Sequence, residues 1–230
     1  MKKIITLLML SIALLYANKP TNKIDKVVYL ELMYGFGAMN SPQDVYLHEA
    51  QARIFFPTQS IIHELLARGT FSQNTKSDKK PSKYDGWESE YRLGMRMDGQ
   101  FESMGMLMGS VYAGIGYQNV MRSFETSHTK ENLHFLYIPI GFWGEDTMCD
   151  GGDVCAMLTM RYGINTKMIV ASNNNAQRKF KGDFLFGGKI YLGIGVKVAE
   201  IVDIFAQAYF QYNAPIKNTK IWGFEAGVQF

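Results

Sequence analysis

Residues 86–99 read GWESEYRLGMRMDG, and the charged side chains fall on alternate positions: Glu88, Glu90, Arg92, Arg96 and Asp98. The positions between them hold Trp87, Ser89, Tyr91, Leu93, Met95 and Met97. In an extended chain the two sets point to opposite faces. Carboxylates and guanidinium groups gathered on one face have two uses. They pair with one another as a structural filling, or they line a charged passage. The residues for covalent chemistry are sparser. Nucleophilic hydrolysis needs a serine with a histidine base within reach, and the adjacent pair Ser127 and His128 sits in a polar stretch. Neighbours in a polar loop are ordinarily solvated side chains. His48, His63 and His134 lack the spacing of a metal-binding pair. Glu145, Asp146, Asp150 and Asp153 gather carboxylates as a calcium loop would, but not at EF-hand spacing. Catalytic residues, metal ligands and cofactors are therefore not expected. Cys149 and Cys155 bracket CDGGDVC and are expected to form a disulfide closing a small loop.

The elements that position these residues repeat the period of two. In residues 27–38, Val28, Leu30, Leu32, Tyr34 and Phe36 oppose Tyr29, Glu31, Met33, Gly35 and Gly37. Residues 45–56 oppose Glu49, Gln51 and Arg53 to Ala50, Ala52, Ile54 and Phe56. Residues 184–198 oppose Gly187, Lys189 and Tyr191 to Phe186, Ile190 and Leu192. Residues 202–212 oppose Asp203, Gln207 and Gln211 to Ile204, Ala206 and Ala208. Residues 220–230 oppose Glu225 and Gln229 to Trp222, Phe224, Ala226, Val228 and Phe230. Residues 104–117, 133–144 and 155–171 complete the pattern. Segment 61–71 has apolar pairs spaced by four and would suit a helix, but an even strand count assigns it to a strand.

These segments run longer than the five or six residues of ordinary soluble strands and match the roughly 9 to 11 needed to cross a bilayer. Short connections at 57–59, 98–100 and 199–201 alternate with longer polar ones at 72–86, 118–132, 172–183 and 213–220. A soluble sandwich also alternates, so the aromatics help to decide. Phe36, Trp87, Tyr117, Phe184, Tyr212 and Trp222 fall near one end, and Phe56, Phe142, Trp143 and Phe230 near the other, as in the two girdles of a membrane barrel.

The N-terminus supports export. MKKIITLLMLSIALLYA has a basic start, an apolar stretch and a small residue, Ala17, at a cleavage position, so residues 1–17 read as a signal peptide. The 24 basic and 21 acidic residues nearly balance, and removal of Lys2 and Lys3 brings them within one of each other. That balance argues against a nucleic-acid partner.

Two stretches, GFEAGVQF (223–230) and LYIPIGFWG (136–144), resemble those of the small outer-membrane β-barrel family of Gram-negative bacteria. The resemblance covers residues 24–230 as a pattern. It implies insertion by the barrel-assembly machinery, which reads the last strand through Trp222, Phe224, Val228 and the terminal Phe230. The expectation is an all-β, closed antiparallel up-and-down transmembrane barrel of ten strands, with eight as the alternative. It occupies residues 26–230, after a short periplasmic segment at 18–25, in the bacterial outer membrane. A lumen charge network is expected from Glu31, Glu49, Arg53, Glu88, Glu90, Arg92, Arg96, Arg161, Lys189 and Glu225, with Glu64, Arg68 and Lys167 also pointing inward. The expected role is structural or surface interaction around a filled lumen. A narrow channel for small polar solutes is second and an outer-membrane hydrolase third. Expected partners are outer-membrane lipid, lipopolysaccharide near the basic segment 76–83, and an extracellular ligand at the outer loops.

Overall fold

The computed structural model describes residues 28–40, 44–58, 60–72, 81–97, 106–124, 129–148, 158–174, 181–199, 202–213 and 219–230. They form ten strands: β1 Tyr29–Asn40, β2 Asp44–Pro57, β3 Ile61–Ser72, β4 Pro81–Arg96, β5 Met106–Phe124, β6 Thr129–Thr147, β7 Leu158–Asn174, β8 Lys181–Ala199, β9 Val202–Asn213 and β10 Thr219–Gln229. Every neighbouring pair is antiparallel, and β1 pairs with β10 to close the barrel. Closure extends to the last residue: the Phe230 N–H donates to the Leu30 carbonyl at 2.9 Å, and Leu30 N–H returns a bond at 3.3 Å. A closed sheet leaves no backbone group unpaired along an edge, which is what hydrocarbon surroundings demand.

The alternation of side chains becomes an inside and an outside. In β3 the even positions Ile62, Glu64, Leu66 and Arg68 are buried, while Ile61, Leu65 and Ala67 are exposed. Segment 61–71 is thus a strand, because its even residues pack inward and its odd residues face out. Its start is fixed by Thr58, whose N–H and hydroxyl both donate to the Ile61 carbonyl. The exterior is apolar: Phe36, Leu93, Ile115, Ile190, Leu192, Trp222 and Phe224 are all exposed. Leu and Ile on the surface with Glu and Arg buried is the inverse of a soluble protein.

The barrel is lopsided. Strands β4 to β8 hold 16 to 19 residues, whereas β1 to β3, β9 and β10 hold 11 to 14. Much of what reads as outer loop is therefore strand. β5 runs on to Phe124 and β6 starts at Thr129, so most of 118–132 belongs to the wall. Residues 172–174 and 181–183 likewise extend β7 and β8, and Pro81 already begins β4. The tight turn expected at 98–100 is also corrected: β4 ends at Arg96 and β5 begins at Met106, a longer connection. Ala17, segment 18–25, Cys149, Cys155, Ser127, His128, Asp150 and Asp153 lie outside the described residues.

Candidate functional site

The candidate site is the lumen. Seven buried carboxylates (Glu31, Glu49, Glu64, Glu88, Glu90, Glu145, Glu225) face six buried cations (Arg53, Arg68, Arg92, Arg161, Lys167, Lys189). Each sits on an inward position of its strand. Most are joined into one chain of contacts. Arg161 bonds Glu31, and its Nε lies 2.8 Å from Glu145. Glu31 also accepts from Arg53 at 3.1 Å. Arg53 stands 4.0 Å from Glu64, which Arg92 reaches at 2.6 Å. Arg92 holds Glu90 at 2.5 Å, and Glu90 accepts from the Tyr137 hydroxyl at 2.8 Å. Lys167 bonds Glu88, which lies 2.9 Å from Arg68. Arg68 in turn donates to Gln51. A second group joins Lys189 to Glu225, with Glu49 at 3.8 Å and Gln207 donating to Glu225 at 2.8 Å.

The pairing has a physical cause. Removing an ion from water costs several kcal/mol, and only a well-placed counter-ion with further hydrogen bonds offsets it. The alternation supplies those counter-ions in register. Glu31 lies directly opposite Arg53, Glu64 opposite Arg92, and Arg68 opposite Glu88. Arg161 to Glu31, and Lys167 to Glu88, cross the barrel instead, from β7 to β1 and to β4. These cross-barrel bonds brace the wall as well as neutralise charge.

Two apolar clusters pack with the charges inside the lumen, which alternation alone did not predict. Toward the taller end, Met39, Val45, Leu47, Val120, Phe135, Ile169 and Ile221 form one buried cluster with Tyr84, Tyr137 and Tyr209. Toward the end where β1 begins, Phe55, Ile62, Met108, Tyr112 and Trp143 form another. Cations also lie on these rings, with Arg53 at 4.8 Å from Trp143 and Arg92 at 4.6 Å from Tyr112. The cavities among the described residues are small: one of about 30 Å³ among Arg53, Arg161, Trp143 and Asn165, and one of about 10 Å³ beside Glu49 and Gln211. Each has room for one or two water molecules.

Tyrosines complete the filling by lying over glycines. Tyr137 is paired with Gly116, and Tyr191 with Gly163. A Cβ on Gly116 would stand 2.4 Å from the Tyr137 ring, and one on Gly163 2.5 Å from the Tyr191 ring. Only glycine lets these rings lie flat on the neighbouring strand.

Three sequence expectations need correction. Trp143 does not belong to the girdle; it points inward and is 3% exposed, because its neighbour Phe142 takes the lipid-facing position. Glu145 is not in a loop; it ends the inward row of β6 and meets Arg161. Arg96 is half-buried rather than buried like the other lumen charges, and it donates to the Thr58 carbonyl at 3.2 Å. Glu31, Glu49, Arg53, Glu88, Glu90, Arg92, Arg161, Lys189 and Glu225 are all buried in the interior. In the last strand Trp222 and Phe224 are exposed on the outside, while Val228 and Phe230 are half-buried.

A closed antiparallel barrel with an apolar exterior and a charged interior is an integral outer-membrane β-barrel, crossing the bacterial outer membrane with its strands. The end at which β1 begins and β10 finishes is then the periplasmic one. No family model matches the chain, and no curated protein does. Solved structures similar to it include the translocator domain of the autotransporter NalP from Neisseria meningitidis, with 11% identity over 88% of this chain and 87% of that one and a TM-score of 0.48. The transport unit of the autotransporter AIDA-I from Escherichia coli has 10% identity over 93% of both chains and a TM-score of 0.44. Neisserial surface protein A has 10% identity over 88% of this chain and 95% of that one, with a TM-score of 0.42.

Proposed function

We propose that this barrel is a non-conducting outer-membrane protein with a structural or surface-interaction role. One observation supports the reading most directly: paired charges and two apolar clusters fill the lumen together, and the cavities beside them among the described residues are about 30 and 10 Å³. A hydrated ion passing along this axis would have to shed water against Tyr112, Trp143, Phe135 and Ile169 and push apart paired charges. Pores that conduct keep an aqueous channel instead. The lumen charges act as a brace, and exchange with the surroundings falls to the outer surface.

Planar-bilayer recording tests this. The expected result is no stepwise conductance at any applied voltage. Steady single-channel steps that change in Arg92→Ala would overturn it in favour of the narrow channel.

A further inference from the structure

The buried charges of the lumen do not balance. Seven carboxylates stand against six cations among the described residues. Glu31, Glu64, Glu88, Glu90, Glu145 and Glu225 each have a cation at 3.1 Å or closer. Glu49 does not. Its nearest cation, Lys189, stands at 3.8 Å and is bonded to Glu225. The surplus charge therefore falls on Glu49, which is 3% exposed and whose Oε2 has no hydrogen-bond partner. The strand register accounts for this. Glu31, Glu64 and Glu88 lie opposite Arg53, Arg92 and Arg68, whereas Glu49 lies between Gly35 and Thr70. An unpaired charge held out of water is costly, so this carboxylate calls for a counter-ion.

Oxygen atoms gather beside it. The cavity of about 10 Å³ next to Glu49 is also lined by Thr70 on β3, Gln118 on β5 and Gln211 on β9. The Gln211 side-chain oxygen is buried and, like Glu49 Oε2, lacks a partner. Arg68 and Glu88 line the space too, but they face each other at 2.9 Å and add no net charge. The cavity admits one water-sized particle. Water would answer the two oxygens and leave the surplus charge in place. A divalent ion would overshoot by one charge, and calcium takes about six to eight oxygen ligands. A hard monovalent cation matches both the charge and the oxygen donors.

We propose that Glu49, with Thr70, Gln118 and Gln211, binds a single sodium ion inside the barrel. The Glu49 carboxylate supplies the charge, the Thr70 hydroxyl comes from the residue opposite it in register, and the two amides supply carbonyl oxygens. The ion neutralises the last lumen charge. It also ties β2 to β5 and β9, which are not its neighbours in the sheet. This goes beyond the structural reading of the barrel and does not depend on whether the lumen conducts. Channel steps in a bilayer would overturn that reading and would not touch the sodium response.

The test is denaturant unfolding of the full chain in lipid vesicles, with sodium chloride exchanged for choline chloride at constant ionic strength. Choline is too large for the cavity. An ion bound only by the folded state raises the folding equilibrium constant about a hundredfold at a concentration of about 100 times its Kd. This rise is expected in the parent protein and absent in Glu49→Gln, which keeps the shape of the side chain and removes its charge. In choline, Glu49→Gln should be at least as stable as the parent, because the surplus charge is gone. Thr70→Val should weaken sodium binding about tenfold. Lys83→Ala, outside the lumen, should leave the sodium response unchanged. Equal stability of the parent in the two salts would overturn the proposal, and a gain in choline as pH falls would then assign the site to a proton. A full sodium response in both Glu49→Gln and Thr70→Val would also overturn it, by placing the ion elsewhere.

Discussion

The lumen and the outward face of β4–β7 both gather polar side chains, and they treat them in opposite ways. Inside, every carboxylate named above has a cation within 4.0 Å. Outside, the cluster is neutral: Asn119 donates to Asn132 and bonds His134, and the Asn173 side-chain oxygen is buried without a hydrogen-bond partner. The same strands carry both groups on alternate residues. Both sets keep neutral groups unanswered, Asn165 and Gln211 inside and Asn173 outside, so the difference lies in charge: ions taken out of water must be paired, whereas neutral amides and an imidazole on the outer face need only one another.

The sharpest way to break this comparison is Glu31→Ala. It leaves Arg53 and Arg161 buried without their shared carboxylate, and a loss of about 3–5 kcal/mol is expected from denaturant unfolding in lipid vesicles. A loss under about 1 kcal/mol would mean that water reaches these guanidinium groups and that the lumen is not sealed. Lys189→Met should cost about 3 kcal/mol in the same assay, because Glu225 and Glu49 both rely on that ammonium. Tyr137→Phe removes one bond to a charged acceptor while keeping the ring, and about 2 kcal/mol is expected. Asn119→Ala on the outside should cost about 1 kcal/mol in the same assay, since Asn132 and His134 lose the amide they share. Lys83→Ala should change stability least, by about 0.5 kcal/mol or less, since its pair with Asp85 is largely exposed.

The two regions also differ in how far the sequence revealed them. Which residues face inward was legible, because a period of two assigns each residue to a face. Their height along the barrel was not, because alternation says nothing about position along the axis. The lumen therefore reads as polar throughout, although Val45, Leu47 and Phe55 share the inward row of Glu49 and Arg53. Trp143 was open to a better reading: adjacent residues cannot both face lipid, and Phe142 already does. Polar strand and polar loop look alike in sequence, so residues 118–124 read as loop, and with them Asn119. His134 was visible but judged only for metal spacing. Its hydrogen bond to Tyr117 depends on the β5–β6 register, which no local pattern encodes.

The tyrosine–glycine pairs carry a consequence for assembly. Hairpins that join a growing barrel can slip along one another, and a slip of two keeps every residue on its proper face. Alternation cannot detect that error. The tyrosines can. Two places off, Tyr191 would meet Arg161 or Asn165 in place of Gly163, and Tyr209 would meet Ile221 or Glu225 in place of Gly223. Neither ring could then lie flat. Each pair works as a key cut for one lock position, so a strand set two residues wrong is rejected by shape before any charge has found its partner.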